Sequence, residues 1–239
     1  MKKIITSLIC AVTFAAFAEE IRIEEPYLQL KKEFNSGKMA GKNSHAAIVG
    51  KKVYPDCWKY YYIASGDKPE NFVLKPLNAI SIDSPLYKKW KQPILASAND
   101  SKKFLYPAFI QCYYYQTRHL GGAYAFTNPL DKKVKLYLEG NFRREKFARA
   151  FIWIKRADGT LKLLTDDMNS AAWQTQETPL KDKVLVRHYL KLQFEEDFNP
   201  GDTLIFGAVP RDKKFGKGYV FAISGWGEKW NPVISLDVE

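Results

Sequence analysis

From Val53 onward the chain is written in short runs of Val, Ile, Tyr, Phe and Trp, cut apart by clusters of Pro, Gly, Asn and Asp. That punctuation constrains the fold more than any other feature. Extended backbone sends successive side chains to opposite faces, and the breaker residues set the turns between strands. Residues 134–139 show the pattern best, with Val134, Leu136 and Leu138 alternating with Lys135, Tyr137 and Glu139. Residues 151–156 and 160–164 flank Ala157-Asp158-Gly159, a hairpin signal. Residues 184–194 read as a long strand with Val184, Val186, His188, Leu190, Leu192 and Phe194 on one face. Asn199-Pro200-Gly201-Asp202 is a turn, followed by strands at 203–209, 219–224 and 233–238. Upstream candidates are 58–63, 79–82, 110–116 and 123–127.

No stretch after Gly50 keeps helical periodicity over three turns, so parallel α/β architecture is excluded. About ten strands joined by turns predict an all-β fold, a two-sheet antiparallel β-sandwich or jelly roll. Its 35 Phe, Tyr and Trp residues rule out disorder and a coiled coil. Residues 51–239 form the sandwich domain in this reading, and residues 19–50 an N-terminal arm or linker. Within that arm, residues 21–34 read as a short helix, and Gly37, Gly41 and Asn43-Ser44 as a linker.

Residues 1–18 have the layout of a secretory signal peptide. Lys2 and Lys3 precede an apolar run, which ends in Ala16-Phe17-Ala18 ahead of Glu19-Glu20. The run is too short to span a bilayer. Cys10 lies too early for a lipidation site and lacks a small residue before it. The expectation is an exported protein, periplasmic or extracellular, with 221 residues and a net charge lowered from +11 to +9. Two cysteines remain after cleavage, and in an oxidising compartment Cys57 and Cys112 read as a disulfide. It would close a loop of about 56 residues, worth about 4 kcal/mol in the chain-entropy model. No C-x-x-C or H-E-x-x-H spacing suggests zinc.

The order of motifs after Val53 resembles a β-sandwich module of secreted bacterial polysaccharide-degradation proteins, similar to carbohydrate-binding modules. The matching residues are Trp58-Lys59-Tyr60-Tyr61-Tyr62, Phe72-Val73-Leu74, Trp90, Pro93-Ile94-Leu95, Phe126-Thr127-Asn128-Pro129 and Gly140-Asn141-Phe142. The hairpin Ile154 to Leu161 and the run Gly201-Asp202-Thr203-Leu204-Ile205-Phe206 complete the series. The resemblance implies a non-catalytic module whose partner is a polysaccharide or cell-envelope glycan.

Exposed Trp and Tyr rings stack on the apolar faces of sugars. Trp173, Trp226 and Trp230 lie in polar or glycine-containing stretches and are the ligand candidates; the competing reading has them cap the ends of the sandwich. Trp58 and Trp153 sit within strands and read as core. Tyr113-Tyr114-Tyr115-Gln116-Thr117-Arg118-His119 supports an alternative, a jelly-roll polysaccharide lyase acting by β-elimination. Arg118 would neutralise a uronate carboxylate while Tyr115 and His119 exchange protons. The bland reading is an aromatic strand with a polar end. His188 reads as a hydrogen-bonded core or edge residue. Asp166, Asp167 and Asn169 could supply oxygens to a structural calcium ion, although a solvated acidic turn has the same composition. The basic residues are scattered in pairs such as Lys102-Lys103 and Lys132-Lys133, with no nucleic-acid-binding motif. Such a surface suits an anionic glycan or the cell envelope. A third reading is an envelope module for protein contacts.

Overall fold

The structure, a computed structural model, describes residues 19–23, 26–90, 93–97, 100–105, 110–115, 118–145, 148–166, 173–180, 183–210, 217–221 and 232–238. Strand β1 (Glu19–Arg22) leads to helix α1 (Pro26–Asn35), then β2 (Ser44–Val49), β3 (Lys52–Ser65), a 3₁₀ turn (Pro69–Asn71), β4 (Val73–Pro76) and β5 (Asn78–Ala79). Helix α2 (Pro85–Trp90) precedes β6 (Leu95–Ser97), β7 (Asp100–Leu105), β8 (Ile110–Tyr115) and β9 (Arg118–Thr127). The remainder is strand: β10 (Val134–Glu145), β11 (Ala148–Lys155), β12 (Leu161–Asp166), β13 (Trp173–Leu180), β14 (Lys183–Phe198), β15 (Thr203–Pro210), β16 (Lys217–Phe221) and β17 (Val233–Val238).

These strands build the expected antiparallel sandwich. In the front sheet, β10 is flanked on one side by β14 and β13, and on the other by β17 with β1, then β16 with β8. The back sheet runs β2, β3, β9, β15, β11, β12, with β4 also on β3. Strand β9 belongs to both. Its first three residues pair with β8 in the front sheet, and residues 121–127 lie between β3 and β15 in the back sheet. Strands β5, β6 and β7 form a small separate sheet.

The main core lies between the layers, where period-2 alternation delivers one apolar face from each sheet. The front sheet contributes Leu136, Leu138, Phe142, Leu190, Leu192 and Leu236; the back sheet contributes Trp58, Tyr60, Tyr124, Phe126, Ile152 and Phe206. Phe142 meets Phe206 edge-on and Phe126 stacks on Phe198, tying the layers together. Strand β11 is buried on both faces, because Phe151 and Trp153 point outward into a second cluster with Ile63 and Ile205. Phe72, carried just past the 3₁₀ turn, packs edge-on against both rings and closes that cluster.

The sequence places a helix over 21–34, whereas residues 19–22 are β1 and the helix starts at Pro26. Proline suits the first helical turn, where its missing N–H has no acceptor. Leu30 and Phe34 anchor this helix in the core. Residues 44–49, read as linker, form β2 with alternating buried positions.

The expected Cys57–Cys112 disulfide is not formed: Cys57 is a buried free thiol. Register explains why. Cys57 precedes Trp58, the partner of Phe126, while Cys112 precedes Tyr113, the partner of Leu120. The two cysteines therefore lie near opposite ends of β9, about 20 Å apart along the strand, and a disulfide needs Cα atoms within about 7 Å. Cys57 sits instead in a bulge of β3, where Pro55, Asp56 and Cys57 face a single residue of β2. Asp56 adopts φ 56°, and the Cys57 thiol donates to the carbonyls of Tyr54 and Pro55.

Candidate functional site

Strand β10 is the spine of the front sheet. Its even positions feed the core, so its odd positions form the outer face together with their register partners. Lys135 lies between Asp197 of β14 and Asp237 of β17, and Tyr137 between Glu195 and Ser235. Glu139 then pairs with Gln193, Asn141 with Lys191 and Arg143 with Tyr189. Tyr137 and Tyr189 are half-buried, Asn141 is partly exposed, and Glu139, Lys191, Gln193 and Glu195 are exposed. Tyr137 and Tyr189 stand six residues apart along the ladder, about 20 Å. The result is an elongated polar face with an aromatic residue towards each end and side-chain amides between them. It rests on an uninterrupted ladder between β10 and β14, which fixes its geometry in advance of any ligand.

One end of this face deepens into a cleft of about 330 Å³ lined by Lys133, Val134, Lys135, Asp197 and Asp237. Lys133 Nζ reaches Asp197 Oδ2 at 2.7 Å, and Lys135 Nζ reaches Asp197 Oδ1 at 3.0 Å and Glu195 Oε1 at 3.3 Å. Hydrogen bonds from both lysines hold the Asp197 carboxyl down to about 2, below its usual 3.8. The same contacts raise the pKa of Lys135. Asp237 Oδ1 is shielded from solvent and has no hydrogen-bond partner among the described residues.

The residues selected from sequence are distributed differently. Trp173 is not in a loop. It opens β13, with Leu190 of β14 as its register partner. Trp226 and Trp230 fall in residues 222–231, outside the described residues. On either side of that segment, Phe221 pairs with Arg143 and Val233 with Glu139 of β10. Tyr115 and Arg118 are register partners in the β8–β9 hairpin, and His119 is the partner of Tyr114. Asp166 ends β12, while Asp167 and Asn169 lie outside the described residues. His188 is partly buried, with Nδ1 3.1 Å from Thr175 Oγ1. Among the described residues, no helix is long and apolar enough to cross a membrane.

Sequence reasoning missed the outer face of β10, although its alternating Lys135, Tyr137, Glu139 and Asn141 carried the signal. It also missed His45. That residue is buried in the core, stacked on Trp58 and Tyr60, with Nε2 2.7 Å from the Tyr60 hydroxyl. Burial drives its pKa from 6.5 down to about 3, against a smaller raising effect from the Ala46 backbone. Burial also pushes the Tyr60 and Tyr124 hydroxyls well above their ordinary values.

No known family pattern matches the chain, and no curated protein matches its sequence. Among solved structures, it is similar to the family 3a carbohydrate binding module from the cipA scaffolding of Clostridium thermocellum. The match has a TM-score of 0.21 and 9% identity, and covers 46% of this chain and 78% of that one. Likeness at this level says nothing of what the present chain binds.

Proposed function

We propose that this chain is an exported, non-catalytic β-sandwich protein that binds a polysaccharide along the outer face of β10 and β14. The observation that carries the reading is that half-buried Tyr137 and Tyr189 share one face of the β10–β14 ladder with Asn141 and Gln193. Aromatic rings supply stacking area for sugar faces, and amides supply both donors and acceptors for hydroxyls. The length of the face suits an extended chain better than a single sugar. Trp226 and Trp230 are retained as additional stacking candidates on the strength of the sequence.

The test is binding of the signal-free protein to an array of plant, algal and bacterial-envelope polysaccharides. At least one is expected to be retained, and the double variant Tyr137→Ala/Tyr189→Ala should lose at least about tenfold in affinity while keeping its unfolding midpoint. Retention unchanged in that variant would remove the face from consideration. The same preparations should release no unsaturated-uronate absorbance from alginate or pectate; a rising signal would favour the lyase at Tyr115, Arg118 and His119 instead.

A further inference from the structure

We infer that the cleft at the start of β10 is the end subsite of this face and takes an uncharged sugar unit rather than a uronate. The inference rests on the glycan-binding reading above and adds the class of sugar.

Charge is the first argument. Lys133 and Lys135 bring two positive charges to the cleft, and Asp197 and Asp237 bring two negative ones. Glu195, bound to Lys135, adds a third carboxylate at the rim. No net positive charge remains to receive a sugar carboxylate, although the whole chain carries +11. Both ammonium groups already face Asp197, so their charge is offset before a uronate arrives.

The second argument is the unmet hydrogen-bonding capacity. Among the described residues Asp237 Oδ1 is a shielded acceptor without a donor, and a shielded carboxylate oxygen left unpaired is costly. Asp237 lines the cleft, where its carboxylate can accept from a sugar hydroxyl but repels the carboxylate that a uronate would bring. Each lysine ammonium has three N–H donors. Hydroxyl oxygens can therefore accept from Lys133 and Lys135 without breaking their ion pairs. A cleft of about 330 Å³ lies at the lower end of the range for small-ligand sites. Neighbouring hydroxyls on one ring can then donate to Asp237 and accept from a lysine at the same time.

The experiment is calorimetric titration of the signal-free protein with four probes: the β-1,4-linked hexaoses of glucose, xylose and mannose, and hexagalacturonate. At least one neutral hexaose is expected to bind and hexagalacturonate to bind at least about tenfold more weakly. Asp237→Ala should weaken the neutral ligand about tenfold, and Asp237→Asn, which keeps the shape and one acceptor oxygen, by less. Equal unfolding midpoints for the wild type and Asp237→Asn would separate a binding effect from a folding one. Preference for hexagalacturonate overturns the inference. An unchanged affinity in Asp237→Ala, with binding still lost in Tyr137→Ala, overturns the cleft and leaves the face standing. If the wild type binds neither these hexaoses nor any polysaccharide on the array, both readings fall.

Discussion

His45 shows how a single residue can carry a penalty that the surrounding fold must support. Its ring is 1% exposed; Nε2 meets the Tyr60 hydroxyl, while Nδ1 has no well-formed hydrogen bond among the described residues. The folded state therefore holds it neutral, with a pKa of about 3, whereas the unfolded chain protonates near 6.5. Protons bind preferentially to the unfolded chain in this window. Stability should consequently fall as pH drops from about 6.5 towards 3, by up to about 1.4 kcal/mol per pH unit. Urea unfolding at pH 7, 5 and 4 would measure the slope, and a His45→Phe variant should flatten it. Tyr60→Phe, which strands Nε2, should cost about 1–3 kcal/mol at pH 7. At this scale the sequence was uneven as a guide. Trp58 and Trp153 were legible as core because they lie inside alternating strands, and both are buried. His45 was not, because the bulge that places it opposite Trp58 depends on three residues of β3 facing one of β2.

Among elements, the connection between two turns decides how the sandwich end is closed. Asp202, in the turn before β15, receives Arg156 Nη1 at 2.8 Å and the backbone N–H groups of Ala157 and Asn199. Burial alone would raise the Asp202 pKa, but Arg156 and these amides outweigh it and keep the carboxyl below its ordinary value. Asn128 joins the same corner, donating its amide N–H to the Asp202 carbonyl and Nδ2 to the Phe198 carbonyl. Three motifs singled out along the chain, around Asn128, Asp158-Gly159 and Gly201-Asp202, thus serve one structural lock. Asp202→Ala should cost about 3 kcal/mol, since it leaves Arg156 without its buried partner; a shift in the denaturation midpoint below about 1 kcal/mol would refute the lock. The long strands were readable because alternation and turn residues coincide there, and residues 233–238 match β17 throughout. Strands β1, β2, β4, β6, β7 and β13 were not read: β1 runs into the stretch with helical spacing, β4 and β6 are short, β2 looked like linker, β7 carries Lys102 and Lys103, and β13 opens in a polar stretch. The outer face escaped notice because its members come from separate strands and meet only through register.

For the molecule as a whole, the free Cys57 thiol changes the expectation for an exported chain. Thiol titration of the unfolded, signal-free protein should find two reactive groups per chain, and a value near zero would reinstate a disulfide. Intact mass after secretion should place the new N-terminus at Glu19. That residue is also the first of β1, whose ladder joins Glu19 to Val238. This pairing has a consequence in time. The opening strand can find its partner only when the closing one is present, nearly the whole chain later. Contacts so distant in sequence pay the largest loop-closure entropy and form late. A chain emerging N-terminus first would hold β1 unpaired until β17 followed it, so the seam between them is the last part of the front sheet to close.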